Sequence, residues 1–272
     1  MRIDWSSAEA ALHLHFNRHG PLPVWWRDDD AIAPTAALDR LLSLAQAHNV
    51  PLTLAVIPDY ASQELASRLE AVQNISVSTH GWRHKNHAPP HEKNAEFGAH
   101  RHLDVMAAEI QRGVRRVQAL FGDRAGTVFT PPWNRISPQL SQQLDGLGVS
   151  VLSTYGDRRI GHTSVSAVNT HLDPIAWRAG KELLSPPHLV ERLTDTIARR
   201  TCNQADPAEP LGLLTHHLVH TGEVWAFIEA WLAFCAKNSP AIQWHLISSA
   251  SRSPGRRSLA LPPGGVNGRG AR

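Results

Sequence analysis

Short apolar runs alternate along this chain with stretches whose apolar residues recur every three or four positions. The runs predict buried strands at 23–28 (PVWWRD), 51–58 (PLTLAVIP), 74–80 (NISVSTH), 126–132 (GTVFTPP), 149–155 (VSVLSTY), 164–173 (SVSAVNTHLD), 211–217 (LGLLTHH) and 241–248 (AIQWHLIS). The helical spacing predicts helices over 1–20, 35–48, 60–71, 93–120, 137–147, 187–201 and 222–237. In 35–48, Leu38, Leu41, Leu42 and Ala45 share a face; in 1–20, Ala8, Ala11, Leu12 and Phe16 do. Ser137 is a natural N-cap, with Pro138 at the first helical position. Strands alternating with helices predict an α/β fold with a parallel sheet, open or closed into a barrel. The pattern divides into an N-terminal helix (1–20) packed on the body, one folded domain (21–250), and a Gly/Pro/Arg-rich tail (251–272) that reads as disordered.

One regularity connects this pattern to chemistry. Polar residues collect where the predicted strands end: Asp28-Asp29-Asp30, His80, Pro131-Pro132-Trp133, His171 with Asp173, and His216-His217. In a (β/α) barrel the C-terminal ends of the strands build the active site, so these distant residues would converge on one mouth. His80 and His84 stand four apart, a spacing that can hold a metal. The same spacing recurs at His15/His19, His87/His91 and His216/His220, so it carries weight only through its place at a strand end. Adjacent carboxylates repel one another unless a cation lies nearby. One Asp with two His is the three-ligand set of a catalytic zinc, and a second Asp beside it suits a general base, with Arg27 as its partner. The prolines before Trp133 can fix a turn that aims its backbone N–H at an oxyanion. A histidine at 216 or 217 suits proton donation to a leaving amine. Asp173 can orient other groups and Trp177 can line a sugar subsite.

Composition narrows the class. A count of 17 His and 9 Trp fits metal or proton chemistry and aromatic platforms. The net charge is +3 and much of the excess lies in the tail, so no basic face for nucleic acid is indicated. Two cysteines imply neither a disulfide framework nor a Cys-rich zinc site. No apolar run reaches membrane-spanning length, and the first twenty residues lack a continuous apolar core, which reads as a cytoplasmic protein.

The order of motifs resembles that of the polysaccharide deacetylases, the NodB-homology fold of carbohydrate esterase family 4. The matching segments are RDDD at 27–30, HGWRH at 80–84, TPPW at 130–133 and LTH at 214–216. The resemblance implies a distorted (β/α) barrel of parallel strands and a metal-dependent hydrolase that removes an N-acetyl or related acyl group from a sugar or glycan by attack of metal-bound water. It implies Asp29 as base, Asp30, His80 and His84 as ligands, His216 as acid with His217 as alternative, and Trp133 as oxyanion donor. A pairing of Asp28 as base with Asp29 as ligand stays open beside this one. One divalent ion is implied, zinc first, with cobalt, nickel, manganese or iron also suited to the ligand set. Arg27, Trp82, Pro132, Asn134, Arg135, Asp173 and Trp177 are the substrate-binding candidates. The arginine that opens the family's third motif is Thr130 here, and Arg27 or Arg135 is its candidate replacement. Two other readings remain: a metal-dependent hydrolase of a non-sugar amide, and a carbohydrate-binding barrel without catalysis.

Overall fold

The computed structural model describes residues 1–158 and 162–249, so the 251–272 tail lies outside the described residues. Eight strands form one parallel sheet. They are β1 (Leu22–Ala31), β2 (Leu52–Val56), β3 (Ile75–His80), β4 (Ala125–Thr130), β5 (Val151–Leu152), β6 (Ser166–Ala167), β9 (Leu211–Thr215) and β10 (Ile242–Trp244). A small antiparallel hairpin, β7 (Ile175–Ala176) with β8 (Glu182–Leu183), lies apart from it and has no counterpart in the apolar pattern because each arm is two residues long. The helices are α1 (Ser6–His19), α2 (Ala36–Ala47), α3 (Gln63–Leu69), α4 (Leu103–Phe121), α5 (Pro138–Ser141), α6 (Pro186–Thr201) and α7 (Gly222–Lys237).

β1 is the hub. It pairs with β9 from Val24 to Asp28, and on its other edge first with β10 and then with β2. From β2 the order runs through β3 and β4 to β5 and β6. The strip 166–172 then curls the sheet round. Val168 and Thr170 donate backbone N–H bonds to Leu152 and Thr154, while His171 and Leu172 donate to Gly212 of β9 and Leu214 donates back to Leu172. The two flanks of the sheet are thus joined into a distorted barrel, as the alternation and the resemblance imply. At this seam only glycine fits: a Cβ on Gly212 would lie 2.4 Å from Trp25 Nε1 and 2.7 Å from both the Asn169 carbonyl oxygen and Thr170 Cα. The opposite end is floored by the segment after β10. Ile247's carbonyl accepts from Thr53 and Ser76, and that of Ser248 accepts from Thr127 N–H.

The predicted helix face of Leu38, Leu41, Leu42 and Ala45 is buried, and Thr35, Ser62, Ser137 and Thr221 cap α2, α3, α5 and α7 through their hydroxyls. Three expectations need correction. In α1, His15 is buried beside Ala8, Ala11 and Leu12, whereas Phe16 is exposed. α4 begins at Leu103, not near Asn94, because 94–102 is drawn into tertiary bonds: Glu96 accepts from the 82–84 backbone and Phe97 pairs with Ile136. The 137–147 helix is a four-residue helix followed by a short 3-10 turn, Leu144–Leu147.

Two outcomes follow from these contacts. Gly212→Ala should lower the melting temperature and cost about 1–3 kcal/mol, since the added methyl meets backbone that cannot swing aside; an unchanged urea midpoint would show that the seam is not closed as described. Burial, with the positive charges of His19 and Arg200, pushes the His15 imidazole down to about 4. The unfolded chain takes up this proton near 6.5, so stability is complete above that pH and falls as pH drops toward 4. His15→Gln should flatten that part of the stability–pH curve, measured by urea unfolding.

Candidate active site

The three carboxylates of β1 do not begin where burial ends; Asp28 and Asp29 are 0% and 2% exposed. They tolerate this because each has its own partner. Trp26 and Asp28 meet β9: Trp26 Nε1–H donates to Thr215 Oγ1, which donates to Asp28 at 2.6 Å. Asp28 also accepts from the His217 backbone N–H and holds His217 Nδ1 at 2.5 Å. Burial would raise the Asp28 carboxyl, but His217 outweighs it and holds it low; Asp28 in turn raises the buried imidazole. Arg27 and Asp29, two residues apart, share the other face. The guanidinium grips Asp29 at both oxygens, 2.9 and 3.0 Å, and is itself held by Asn134 Oδ1 and by the Ser153 and Thr154 oxygens.

Alternation would turn Asp30 away from Asp29. A bulge prevents this: the β1–β2 register shifts between Asp28 and Ala31, and Asp30 takes φ 74°. Its carboxylate instead lies 3.1 Å from His80 Nε2 and 3.4 Å from His84 Nε2. His80 ends β3, and its Nδ1–H donates to the Thr130 carbonyl at 3.0 Å. In the neutral ring this leaves Nε2 as a bare lone pair facing a carboxylate oxygen. Two acceptors so close call for a cation between them, and an imidazole oriented by a backbone carbonyl is the usual state of a metal-ligating histidine. Asp30, His80 and His84 form a group whose donor atoms all lie within 4.8 Å, so the residues fit a divalent metal. Burial opposes charge on Asp30, yet the bond to His80 with the nearby His216 and His84 holds it well below the ordinary carboxylate range. Burial and His80 push His84 down, keeping a ligand lone pair available.

His84 reaches this point on a strained loop. Gly81 and His84 have φ of 63° and 53°. A Cβ on Gly81 would sit 2.1 Å from Glu96 Oε2 and 2.6 Å from Pro132. The buried Glu96 carboxylate accepts the N–H groups of Trp82, Arg83 and His84 at 2.7–3.2 Å, clamping the loop from below. Sequence spacing gave no sign of Glu96, since it lies twelve residues beyond His84 in a segment that reads as helix.

A cleft of about 750 Å³ opens over these groups, within the range of small-molecule sites. Asp29, Asp30, His80, His84, Trp133, Asn134, Arg135, Asp173, Trp177 and His216 all line it, so most of the sequence candidates converge. Trp133, at φ 56°, stands with its ring 4.3 Å from that of His84. His216 Nε2 lies 3.9 Å from Asp29 Oδ2, and its ring meets Trp177 edge-on at 4.6 Å. Trp177 Nε1–H donates to Asp173. Burial raises the Asp173 carboxyl, with His216 opposing it.

Other candidates lie elsewhere. Trp82 is buried in a hydrophobic cluster with Phe97, Met106 and Phe129, and it carries cations on its ring instead of facing the cleft. Pro132 is buried against Gly81. Arg27 is fully buried behind Asp29 and, of the two candidate replacements for the arginine at Thr130, is the one paired with Asp29. His217 belongs to Asp28, so His216 is the histidine at the cleft. His171 sits near Asp157 and Glu209, a second group of metal-ligand type, but Arg199 and Arg200 already neutralise those carboxylates.

A family model described as polysaccharide deacetylase matches residues 27–152, which span the carboxylate, histidine and Pro-Trp motifs. Over this stretch the chain is similar to the polysaccharide deacetylases. Solved structures share the fold at low identity. A Mycobacterium smegmatis protein assigned as a polysaccharide deacetylase aligns at 15% identity and TM-score 0.60, over 84% of this chain and 86% of that one. A family 4 carbohydrate esterase from Streptomyces lividans, solved with acetate, gives 16% and 0.53, over 84% and 93%. A CE4 esterase from Streptococcus mutans gives 11% and 0.54, over 88% and 89%. No curated protein matches the chain. No helix among the described residues is long and apolar enough to cross a membrane.

Glu96→Ala should weaken divalent-metal affinity about 10–100-fold, the usual effect of losing a group that orients metal ligands, with Glu96→Gln intermediate. Calorimetric titration with zinc checks this, and wild-type affinity in Glu96→Ala would remove Glu96 from the loop's support.

Proposed function

We propose that the cleft hydrolyses the N-acyl group of an acylated amino sugar, releasing a carboxylate and a free amine, with Asp30, His80 and His84 holding one divalent ion, zinc first. The carrying observation is the pair of adjacent carboxylates with opposite duties. Asp30 faces two histidine ring nitrogens, while Asp29 is held by Arg27 with its Oδ2 turned toward His216. This supports the assignment of Asp29 as base and Asp30 as ligand over the shifted pairing, because Asp28 is sealed against His217 away from the cleft.

A bound divalent ion would supply Lewis acidity to the acyl carbonyl and to the attacking water. The chain's own residues do the rest. Arg27 holds Asp29 fixed, placed to take the water proton at a carboxylate oxygen. The Trp133 N–H, on a turn set by Pro131 and Pro132, is the donor for the developing oxyanion. His216 delivers a proton to the departing nitrogen as its bond to the acyl carbon breaks, and Asp173 and Trp177 hold the imidazole's side of the cleft. Water thus adds across the amide: its oxygen goes to the acyl carbon, one proton goes to Asp29 and replaces the one His216 gives to the amine nitrogen, and the other leaves with the carboxyl product. Trp177, 43% exposed at the cleft, offers an apolar face for a sugar ring. The reading as a non-catalytic carbohydrate-binding barrel is less well supported, because a buried Arg27–Asp29 pair beside a metal set serves chemistry more than adhesion.

Asp29→Asn and His216→Ala should each reduce acetate release from N-acetylated amino sugars by about 10²–10⁴-fold, while about one metal per chain is retained by elemental analysis. His80→Ala/His84→Ala should lose both metal and activity. Full turnover in Asp29→Asn would refute the assignment of the base.

A further inference from the structure

Two arginines at the cleft have no part in the scheme above. Arg135 follows the Pro-Trp turn, and its guanidinium donates to the Asn94 carbonyl at 2.7 Å. Because Arg27 already holds Asp29, Arg135 is free of that duty. Arg192 comes from a different element, α6. It donates to Tyr155 Oη at 2.6 Å and lies 5.7 Å from that ring's centroid. Tyr155 Oη in turn donates to the His171 carbonyl, so the guanidinium rests on a fixed support. Both arginines and Tyr155 line the same cleft as the catalytic candidates. Among the described residues neither arginine forms an ion pair with a carboxylate, as Arg124 also does not, whereas the half-buried or buried arginines at 27, 68, 101, 158, 199 and 200 do.

The charge at the cleft makes this pair informative. Asp29 is neutralised by Arg27, and Asp30 by the histidines and the metal they fit. Asp173 is engaged with Trp177, beside His216. Arg135 and Arg192 are therefore cations without a paired carboxylate among the described residues, with guanidinium N–H groups left over for a ligand. A neutral sugar would leave both charges unpaired in a partly desolvated cleft; an anion would pair them through charge-assisted bonds.

We propose that Arg135 and Arg192 form an anion subsite, so that the acylated amino sugar taken by this cleft carries a phosphate group. A phosphate offers three acceptor oxygens and one to two negative charges, enough to engage guanidiniums arriving from two walls. The cleft volume leaves room for a sugar and such an appendage. The inference rests on the deacetylase reading for what the sugar is doing there, but the subsite itself is testable without turnover.

The test is calorimetric titration in the presence of a chelator, with three probes: N-acetylglucosamine, its 1-phosphate, and its uridine diphosphate conjugate. Wild type is compared with His80→Ala/His84→Ala and with Arg135→Gln/Arg192→Gln. At least one phosphorylated probe should bind wild type and the histidine variant alike. It should bind the arginine variant about tenfold or more weakly, while the neutral sugar is indifferent to the arginine change. Preference for the monoester assigns a terminal phosphate, and preference for the conjugate a bridging one. In wild type alone, phosphate-dependent affinity should fall on raising the salt from about 0.05 to 0.5 M, a readout independent of how the variants fold. Equal affinity for phosphorylated and neutral sugars, or undiminished binding in the arginine variant, would overturn the subsite. Loss of binding in the histidine variant would move the phosphate to the metal group and overturn it too. Binding as expected with no acyl release by the metal-loaded enzyme would count against the deacetylase reading alone.

Discussion

Three neighbouring carboxylates at the end of one buried strand would drive that strand apart if left to themselves. In this protein each is neutralised by a different partner on a different element. Asp28 takes His217 beyond β9, Asp29 takes Arg27 of its own strand, and Asp30 takes His80 at the end of β3 and His84 beyond it. The barrel mouth depends on this division. Burying any one charge without its partner would cost several kcal/mol, far more than a surface ion pair returns. The same division sorts the contacts: Asp28 locks β1 to the segment after β9, Asp29 faces the cleft against Arg27, and Asp30 faces two histidine nitrogens.

The seam supplies the second constraint. His216 reaches Asp29 only because β9 lies against β1, and β9 is held there from two sides. Asp28 bonds Thr215 and His217 on either side of His216, while Gly212 admits the 169–172 strip on the far edge. The packing that closes the barrel therefore also sets the separation of His216 and Asp29. Fold stability and cleft geometry are coupled through the same few residues.

On the metal side, a backbone conformation replaces side-chain packing as the determinant. His80 is aimed by the Thr130 carbonyl of the neighbouring strand, but His84 is aimed by a left-handed loop whose N–H groups converge on Glu96. A buried carboxylate bonded to three backbone donors is an expensive feature, and Glu96 is raised by burial despite those bonds. Its position under a ligand loop gives that cost a purpose. It also explains why 94–102 leaves the helical pattern: the segment is committed to holding the 82–84 backbone through Glu96.

Much of this was legible in the amino-acid order. Periodicity located seven helices and the main strands, because burial of one face is written in residue spacing; strand-end polarity gathered Asp29, Asp30, His80, His84, Trp133 and His216. What spacing could not supply were the choices that depend on direction. Asp28, Asp29 and Asp30 are chemically identical in sequence; only the bulge at Asp30 and the strands on either side of β1 decide which one faces the cleft. His216 and His217 are likewise separated only by Asp28 capturing one of them, and Trp82 is turned from the cleft into the core by the loop that carries His84. A linear sequence fixes which groups exist and how often faces repeat. Apart from Arg27 and Asp29 on one strand, which neighbour satisfies each buried charge is settled between segments far apart in the chain, and so it belonged to the tertiary structure.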